Sequence, residues 1–368
     1  MIAGRIRALD AFRGLTVAAM ILVNNPGSWS HIYPPLAHAE WHGWTPTDLI
    51  FPFFLFIVGV SIIVAFARRE RQGATGSQLL RKAVLRGVII LGLGLLLSGF
   101  PHYDLATIRI PGVLQRIGVV YLITAWIYIG FGPSARRVLA ALLLLGYWAL
   151  LALVPVPEFG PGVLTPEGNL AAHLDRLLLS GHLWQDTWDP EGLLSTIPAV
   201  GTCLLGTFAG ERLVEDRPMA ERTARLFLMG AVLIVLGLIW NTWFPINKNL
   251  WTSSYAVFTA GIACQALAAC YWLIDFRGRD RWARPFYVFG TNALLAFVLS
   301  GLLTRMLTLW QVTAPDGTGV PAKQWLYDTW FVPLAGPLNG SLLFALANVG
   351  AALAVVWVFY RKGWILKV

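Results

Sequence analysis

Residues 38–59 read HAEWHGWTPTDLIFPFFLFIVG, and this stretch decides how the rest of the chain is interpreted. Its first half is polar and has no lysine or arginine, whereas it is apolar from Leu49 onward. A change of this kind is typical of the point where a membrane-spanning helix leaves water. His38 precedes that point, and histidine gives and takes a proton near neutral pH. A proton-transfer group at a membrane boundary is therefore the first hypothesis.

The composition indicates that lipid surrounds most of the chain. The 368 residues are 57% hydrophobic and 13% charged, whereas soluble domains carry about 25% charged residues. The net charge of +9 comes from basic clusters between apolar runs, which is typical of cytoplasmic loops, so no nucleic-acid partner is expected. No small-residue cleavage site follows the first apolar run, so it is predicted to be retained. The three cysteines lie in apolar runs and predict neither a disulfide nor a metal site: Cys203, Cys264 and Cys270.

The apolar runs predict an all-α integral membrane protein with one transmembrane domain over residues 1–368. One crossing needs about 20 apolar residues. Runs of this kind occur ten times, near 9–25, 47–67, 82–100, 112–131, 137–155, 193–212, 225–242, 254–275, 285–304 and 338–360.

The distribution of positive charge predicts the orientation. Of the 28 lysines and arginines, 22 fall on one side of this arrangement and 6 on the other. The positive-inside rule then places both termini in the cytoplasm and makes the number of spans even. All six histidines, His38 among them, fall on the opposite side, where the longer loops near 156–192 and 305–337 also lie.

Polar residues in predicted spans are candidates for function because lipid makes them costly. Arg116, with Gln115, lies one turn into the fourth span and either snorkels to the interface or binds an anion inside the bundle. Asn292 either joins helices or lines a cavity. At the cytoplasmic edge, Asp10 and Arg13 are spaced to form an ion pair on one helix face.

The outer segment 240–254 is dense in amides and hydroxyls. One interpretation is a capped turn, with Ser253 or Ser254 as the N-cap of the next helix. The other, which we favour slightly, is a site in which Asn247, Lys248 and Asn249 offer donors to a phosphate or a sugar.

His38 itself has three interpretations: an exposed loop histidine, a metal ligand or a general base. The spacing of the nearby histidines matches no compact zinc pattern, so no metal is expected. A general base needs an orienting partner, for which Asp48 is placed at the start of the second span. Asn24, where the first helix is expected to break, is a candidate to orient the imidazole or stabilise an oxyanion. Spacing alone leaves these alternatives open.

Five motifs, taken in order, resemble the membrane domain of the heparan-α-glucosaminide N-acetyltransferases and their bacterial relatives. The resemblance runs from the N-terminus to the last span and is specific because the motifs are separate and keep their order. They are residues 7–14 (RALDAFRG), 23–24 (VN), 38–52 (HAEWHGWTPTDLIFP), 111–118 (PGVLQRIG) and 247–251 (NKNLW).

The resemblance implies transfer of the acetyl group of cytoplasmic acetyl-CoA to an amino-sugar nitrogen across the membrane. The family's essential histidine matches His38, and an asparagine implicated in its chemistry matches Asn24. Compared with the lysosomal enzymes, the chain is expected to start directly at the first membrane helix, which suggests a bacterial inner-membrane member with an acceptor other than heparan sulfate. For coenzyme A the expected ligands are Arg116, Gln115, Lys248, Asn247, Asn249 and Asn292.

Two rival functions remain at this stage. One is a transporter or flippase for a sugar or anion, with His38 as a proton relay. The other is a non-catalytic membrane partner of a sugar pathway. The expected partners of the acetyltransferase are acetyl-CoA, an amino-sugar or glycan acceptor and membrane lipid, and a homodimer is left open.

Overall fold

The computed structural model describes residues 6–313 and 317–366 and is predominantly helical. Arg5 and Lys367, which belong to the charge count, and Asp316, in the predicted loop near 305–337, lie outside these residues. The helices are α1 Arg7–Asn24, α2 Ile50–Arg71, α3 Gly76–Gly99, α4 Val113–Gly130, α5 Pro133–Leu153, α6 Leu170–Leu179, α7 Thr196–Val214, α8 Met219–Trp240, α9 Ser253–Cys270, α10 Arg284–Thr291, α11 Ala293–Leu309, α12 Ala322–Leu326 and α13 Val332–Arg361.

Shorter elements extend or join these helices. The 3-10 turns are Pro34–Leu36, Pro46–Leu49 and Arg281–Ala283, and π-helical turns occupy Tyr271–Phe276 and Tyr327–Phe331. Strands β1 (Gln311–Thr313) and β2 (Gly319–Pro321) pair antiparallel, with Val312 opposite Val320. The expectation of an all-helical chain is thus correct except for this two-stranded ribbon.

Helix ends follow the local sequence. α1 ends at Asn24, two residues before Pro26, as the sequence predicted, because proline cannot continue the hydrogen-bond ladder. Thr75 caps α3 in a capping box with Gln78. The N-cap of α9 is Thr252, whose hydroxyl accepts the N–H of Tyr255. The prediction of Ser253 or Ser254 was wrong by one or two residues, because both serines are already helical.

Nine of the ten predicted spans each fall on one helix, and the span predicted near 285–304 falls on two, α10 and α11. By length and composition, six helical segments of the described chain are apolar and long enough to cross a membrane. A seventh is added if α10 and α11 count as one span, since they meet at Asn292 with a bend of 76°. The chain is therefore a multi-pass helical membrane protein, whereas the number ten and the cytoplasmic position of the termini stay predictions.

Close helix contacts hold the bundle together around α2, α7 and α9. A Cβ atom built on Gly59 would lie 1.9 Å from the carbonyl oxygen of Cys203, and one on Gly206 would lie 2.1 Å from that of Phe56. The backbones of α2 and α7 thus touch, as small residues permit inside membranes. This contact holds the middle of α2 against α7, and Asp48 lies in the 3-10 turn that precedes α2. The three cysteines are free and buried in the core.

Candidate active site

The site is built around an imidazole held by a buried carboxylate. Nδ1 of His38 lies 2.6 Å from Oδ1 of Asp48. The Asp48 side chain is 1% exposed, whereas that of His38 is 43% exposed. Since an ionised carboxylate only accepts, the proton of a neutral imidazole sits on Nδ1 and the lone pair of Nε2 is left for another group. The pair thus presents a base to the solvent on this side of the bundle.

Asp48 is fixed by its backbone surroundings. Its Oδ2 accepts the N–H groups of Ala39 at 3.1 Å and Thr45 at 2.9 Å. Its carbonyl oxygen accepts the hydroxyl of the buried Tyr255 at 2.5 Å. Asp48 therefore both caps its own helical turn and orients the imidazole, the two roles that the sequence offered as alternatives.

Lys248 faces the free nitrogen of the imidazole. Its Nζ lies 3.5 Å from Nε2 of His38, and the side chain comes from the loop between α8 and α9. Burial lowers the pKa of this ammonium, while the carboxylates of Glu191 and Asp48 act in the opposite direction. Asp48, His38 and Lys248 thus form a line of acid, imidazole and cation.

The loop that carries Lys248 is rigid because its amide is buried and bonded. Asn247 is fully buried; its Oδ1 accepts the N–H of Leu250 at 2.9 Å, and its Nδ2 lies 3.3 Å from Nδ1 of His42. Burial lowers the pKa of His42, which favours the neutral ring that can accept from this amide. The capped-turn interpretation of this segment is therefore confirmed, whereas its role as a ligand site stays a prediction.

Arg116 stands beside this line, inside the bundle. It is 2% exposed, and its Nη2 donates to the carbonyl of Gly192 at 2.9 Å and to Oγ of Ser195 at 2.5 Å. Its guanidinium carbon lies 5.3 Å from the ring centroid of Trp251. Nε and Nη1 are buried without a hydrogen-bond partner. Snorkelling is therefore wrong for this arginine, and an anion is the ligand that such donors fit.

A cavity of about 570 Å³ begins at Arg116. Apolar side chains of α3, α4, α5 and α7 line most of it, and Gln115 and Glu191 add polar atoms near Arg116. Along α4 it continues to Ile127, which is about 16 Å further at the rise of an α-helix. The cavity thus extends along α4 from Arg116 toward the C-terminal end of this helix, and it reaches Leu139 near the start of α5.

A network of opposite charges closes the site on one side. Arg109 donates to both oxygens of Asp189, at 2.8 and 2.7 Å, and to Glu191 at 2.5 Å. Asp189 also accepts the backbone N–H of Trp184, which fixes the loop before α7. Sequence reasoning missed these residues. A signal existed, because Glu191 and Asp189 are carboxylates in a Trp-rich outer loop, but their partner is 80 residues away.

Of the predicted site residues, the structure brings His38, Asp48, Lys248 and Asn247 together and places Arg116 and Gln115 at the adjacent cavity. Asn249 is partly buried, and no hydrogen bond of the described chain joins it to this group. The Asn292 amide binds the C-terminal segment through the carbonyl of Trp364 and the N–H of Leu366. It thus joins two segments of the chain and does not line the cavity.

Asn24 is exposed at the end of α1, and no contact within the described residues joins it to His38. Its neighbour Asn25 is the buried amide instead. Nδ2 of Asn25 donates to Ser300 at 3.1 Å, and its Oδ1 accepts the hydroxyl of Thr304. The structure therefore does not bring Asn24 to the imidazole as the sequence led us to expect, because α1 packs on α10 and α11.

The ion pair predicted from the spacing of Asp10 and Arg13 is present in the structure. Nη1 of Arg13 lies 3.2 Å from Oδ1 of Asp10, which confirms that ion pair. Among the residues that the structure describes, no cluster of three or more His, Cys, Asp or Glu side chains is arranged to hold a metal ion.

Fold and site together define a multi-pass helical membrane protein with a histidine–aspartate pair beside a largely apolar cavity that includes Arg116. Residues 5–245 match the family model described as heparan-alpha-glucosaminide N-acetyltransferase, catalytic, and the chain belongs to this family. It is 32% identical over 354 residues to the heparan-alpha-glucosaminide N-acetyltransferase of Mus musculus and 31% identical over 352 residues to that of Homo sapiens. Each match covers 80% of this chain but only 53% and 52% of the relative, so the chain spans about half the length of these relatives. The resemblance seen in the sequence motifs is confirmed.

Proposed function

We propose that this protein transfers the acetyl group of acetyl-CoA to the amine of an amino sugar, with the donor entering from the cytoplasm and the acceptor on the other side. Membership of the N-acetyltransferase family supports the reaction class. The observation that carries the proposal is the His38–Asp48 pair, 2.6 Å apart, with Nε2 facing solvent and Lys248. This is the arrangement that general-base catalysis requires.

The base removes a proton that would otherwise stop the reaction. An acceptor amine bonds to the thioester carbonyl carbon through its lone pair, and its nitrogen must then lose a proton. Nε2 of His38 takes that proton while Asp48 holds Nδ1–H and stabilises the imidazolium. When the carbon–sulfur bond breaks, the imidazolium returns the proton to the leaving thiolate. The amide and the free thiol are the products.

Lys248 is the group of the described chain that is placed to stabilise the oxyanion. Its ammonium is next to Nε2, where the carbonyl oxygen becomes negative during attack. Its position where the first helix ends made Asn24 a candidate for this role, but its exposed side chain away from His38 argues for Lys248.

The cavity along α4 supports a path for the donor through the bundle. Its length of about 16 Å suits an extended pantetheine arm, and its largely apolar lining suits the arm's methylene and methyl groups. Arg116 has two unused donors at the end near His38. Donor atoms of this kind fit a carbonyl or phosphate oxygen of the coenzyme.

The test is acetyl transfer across sealed liposomes that contain the purified protein. Labelled acetyl-CoA is supplied on one side and a panel of amino sugars on the other, and mass spectrometry detects the N-acetylated product. We expect product with the donor on the side of the chain termini and none with the sides exchanged. A transporter with His38 as a proton relay would move a solute without forming any acetylated product, and that result would reject the proposal.

Direct attack and a covalent acetyl-imidazole on His38 are separated by isotope exchange. Direct transfer gives no exchange between acetyl-CoA and labelled coenzyme A without the acceptor. Exchange without the acceptor would replace the general-base step by nucleophilic catalysis on the same nitrogen.

A further inference from the structure

Three tryptophans form a continuous aromatic cluster next to the site, here called the shelf: Trp41, Trp184 and Trp188. The ring centroids of Trp41 and Trp188 are 5.2 Å apart, and those of Trp184 and Trp188 are 5.4 Å apart, both edge to face. Trp184 is 52% exposed. The shelf therefore presents indole surface to solvent, where a ligand can contact it.

The shelf is rigid, which distinguishes it from a set of loop side chains. Nε1 of Trp41 donates to the carbonyl of Leu164 at 2.7 Å. The N–H of Trp184 donates to Asp189, whose carboxylate is held by Arg109. A preformed aromatic surface costs little conformational entropy when a ligand binds.

The shelf continues into the site through direct contacts. The ring of Trp41 lies 6.4 Å from that of His42, whose Nδ1 is 3.3 Å from the amide of Asn247. Asn247 precedes Lys248, which faces His38. Side-chain contacts thus connect the shelf to the loop whose Lys248 faces His38.

The exposed charges on this side of the bundle are carboxylates. Glu40 precedes Trp41 and Asp186 lies between Trp184 and Trp188, and both are exposed. Other exposed acids of the same side are Asp104, Glu158 and Glu167. In the described part of these segments, each lysine and arginine is at least partly buried. Such a surface attracts protonated amines and repels sulfate groups.

We propose that the shelf binds a second sugar unit of the acceptor, and that the acceptor is an unsulfated amino-sugar oligomer. This inference rests on the proposed acetyl transfer at His38. The C–H face of a pyranose ring stacks on an indole ring, which offers a large apolar surface and a polar N–H edge. The free amines of neighbouring units face Glu40 and Asp186.

The experiment compares kcat/KM for glucosamine, for its unsulfated dimer and tetramer, and for a sulfated glucosamine-containing tetramer. We expect the unsulfated tetramer to exceed the monomer by roughly tenfold, the order of one good aromatic contact. The sulfated tetramer should fall below the unsulfated one, and the gap should narrow with added salt. Equal values for monomer and tetramer, or a preference for the sulfated oligomer, would overturn the inference.

Two variants assign the effect to the shelf. In Trp184→Ala the ratio of tetramer to monomer should fall to about 1, since one stacking contact is removed. Trp310→Ala is the matched control, because Trp310 is 68% exposed on the same side but outside the shelf. Its ratio should equal that of the unmodified protein. If the ratio of tetramer to monomer kcat/KM falls equally in both variants, the tryptophans act as an interfacial belt and the proposed role of the shelf is rejected.

Failure of this inference is separable from failure of the proposed function. Acetylation of glucosamine without any dependence on chain length rejects only the shelf. The absence of an acetylated product from every amine rejects the acetyl transfer itself.

Discussion

Two buried arginines at opposite ends of the helix bundle differ in how their charge is balanced. At the end opposite His38, Arg136 is 6% exposed and pairs with Glu211 at 3.1 Å, with its guanidinium 4.5 Å from the ring of Tyr128. At the His38 end, Arg116 is equally buried, yet its hydrogen bonds go to a carbonyl and a hydroxyl. A buried charge without a paired partner costs stability. Both arginines leave Nε and Nη1 without a hydrogen-bond partner, so what separates them is the carboxylate that pairs with Arg136, and this difference supports the proposal that Arg116 meets a ligand.

The same contrast extends to neighbouring charges. Opposite His38, Glu221 pairs with Arg217 at 2.6 Å and with Arg225 at 3.1 Å, and Arg7 pairs with Asp280. At the His38 end, Lys248 contacts an imidazole in place of a carboxylate. Arg109 at the same end is paired with Asp189 and Glu191, so the contrast is confined to Arg116 and Lys248.

The largest effect is expected for His38→Ala. Loss of the base should lower kcat by about 10²–10⁴-fold while the protein stays folded and inserted, because the side chain is partly exposed. The measurement is turnover of labelled acetyl-CoA in liposomes, with thermal unfolding in detergent as a check of folding. His31→Ala is the control, since His31 is an exposed histidine of the same segment. Near-normal turnover of the His38 variant would remove this residue from the mechanism.

The next effect concerns stability alone. Arg136→Gln leaves the partly buried Glu211 without its partner, which should cost up to about 3 kcal/mol and lower the unfolding temperature. Turnover per folded molecule should stay the same because this pair lies away from the site. The double variant with Glu211→Gln should recover part of the loss. An unchanged unfolding temperature in the single variant would contradict a structural role for this pair.

Arg116→Gln should behave in the opposite way. Arg116 has no carboxylate partner at salt-bridge distance in the described residues, although nearby carboxylates and two hydrogen bonds favour it, so the unfolding temperature should fall less than in Arg136→Gln. The KM for acetyl-CoA should rise about tenfold, the order expected for one charge-assisted hydrogen bond. Steady-state kinetics and thermal unfolding of the same preparations measure both quantities. A large loss of stability without a change in KM would make Arg116 a structural arginine like Arg136 and end the comparison.

The smallest effect is a pH dependence at the His38 end. Burial raises the pKa of Asp175 to about 6, the nearby charge of Asp189 adds to this, and the N–H of Leu193 acts against it. The folded state therefore binds this proton more tightly than the unfolded state, and stability falls as pH rises from about 4 to about 6.

Asp175→Asn keeps an oxygen that accepts from Leu193 but cannot ionise. Relative to the unmodified protein it should gain stability above pH 6 and little below pH 4. Unfolding temperatures across this pH range provide the measurement. Parallel curves for the two proteins would show that this carboxyl is not raised in the folded state.

Much of the fold could be predicted because lipid imposes a simple rule on sequence. Apolar runs of the length of a span become helices, and all the predicted spans except that near 285–304 fall on a single helix. The bend at Asn292 could not be read in the same way. There the helix breaks because the amide binds the C-terminal segment, which is more than 70 residues away in the sequence.

Less of the candidate site could be predicted. The partnership of Asp48 with His38 could be predicted because the two residues are only ten apart in the sequence. Asn24 was expected beside the imidazole, yet α1 carries it elsewhere and leaves Lys248 next to His38. Glu191 and Arg109 gave no signal of their pairing, because a contact over 82 residues leaves no pattern in a single sequence.

By itself, the sequence determined the helical membrane class, the family motifs and His38 as the group most able to move a proton. Local periodicity and residue chemistry carry that information. Only the tertiary structure decided that Lys248 faces Nε2, that Arg116 keeps two unused donors beside a cavity, and that three tryptophans meet next to His42. These depend on which helices pack together, and packing between distant segments is settled by shape and burial over the whole bundle.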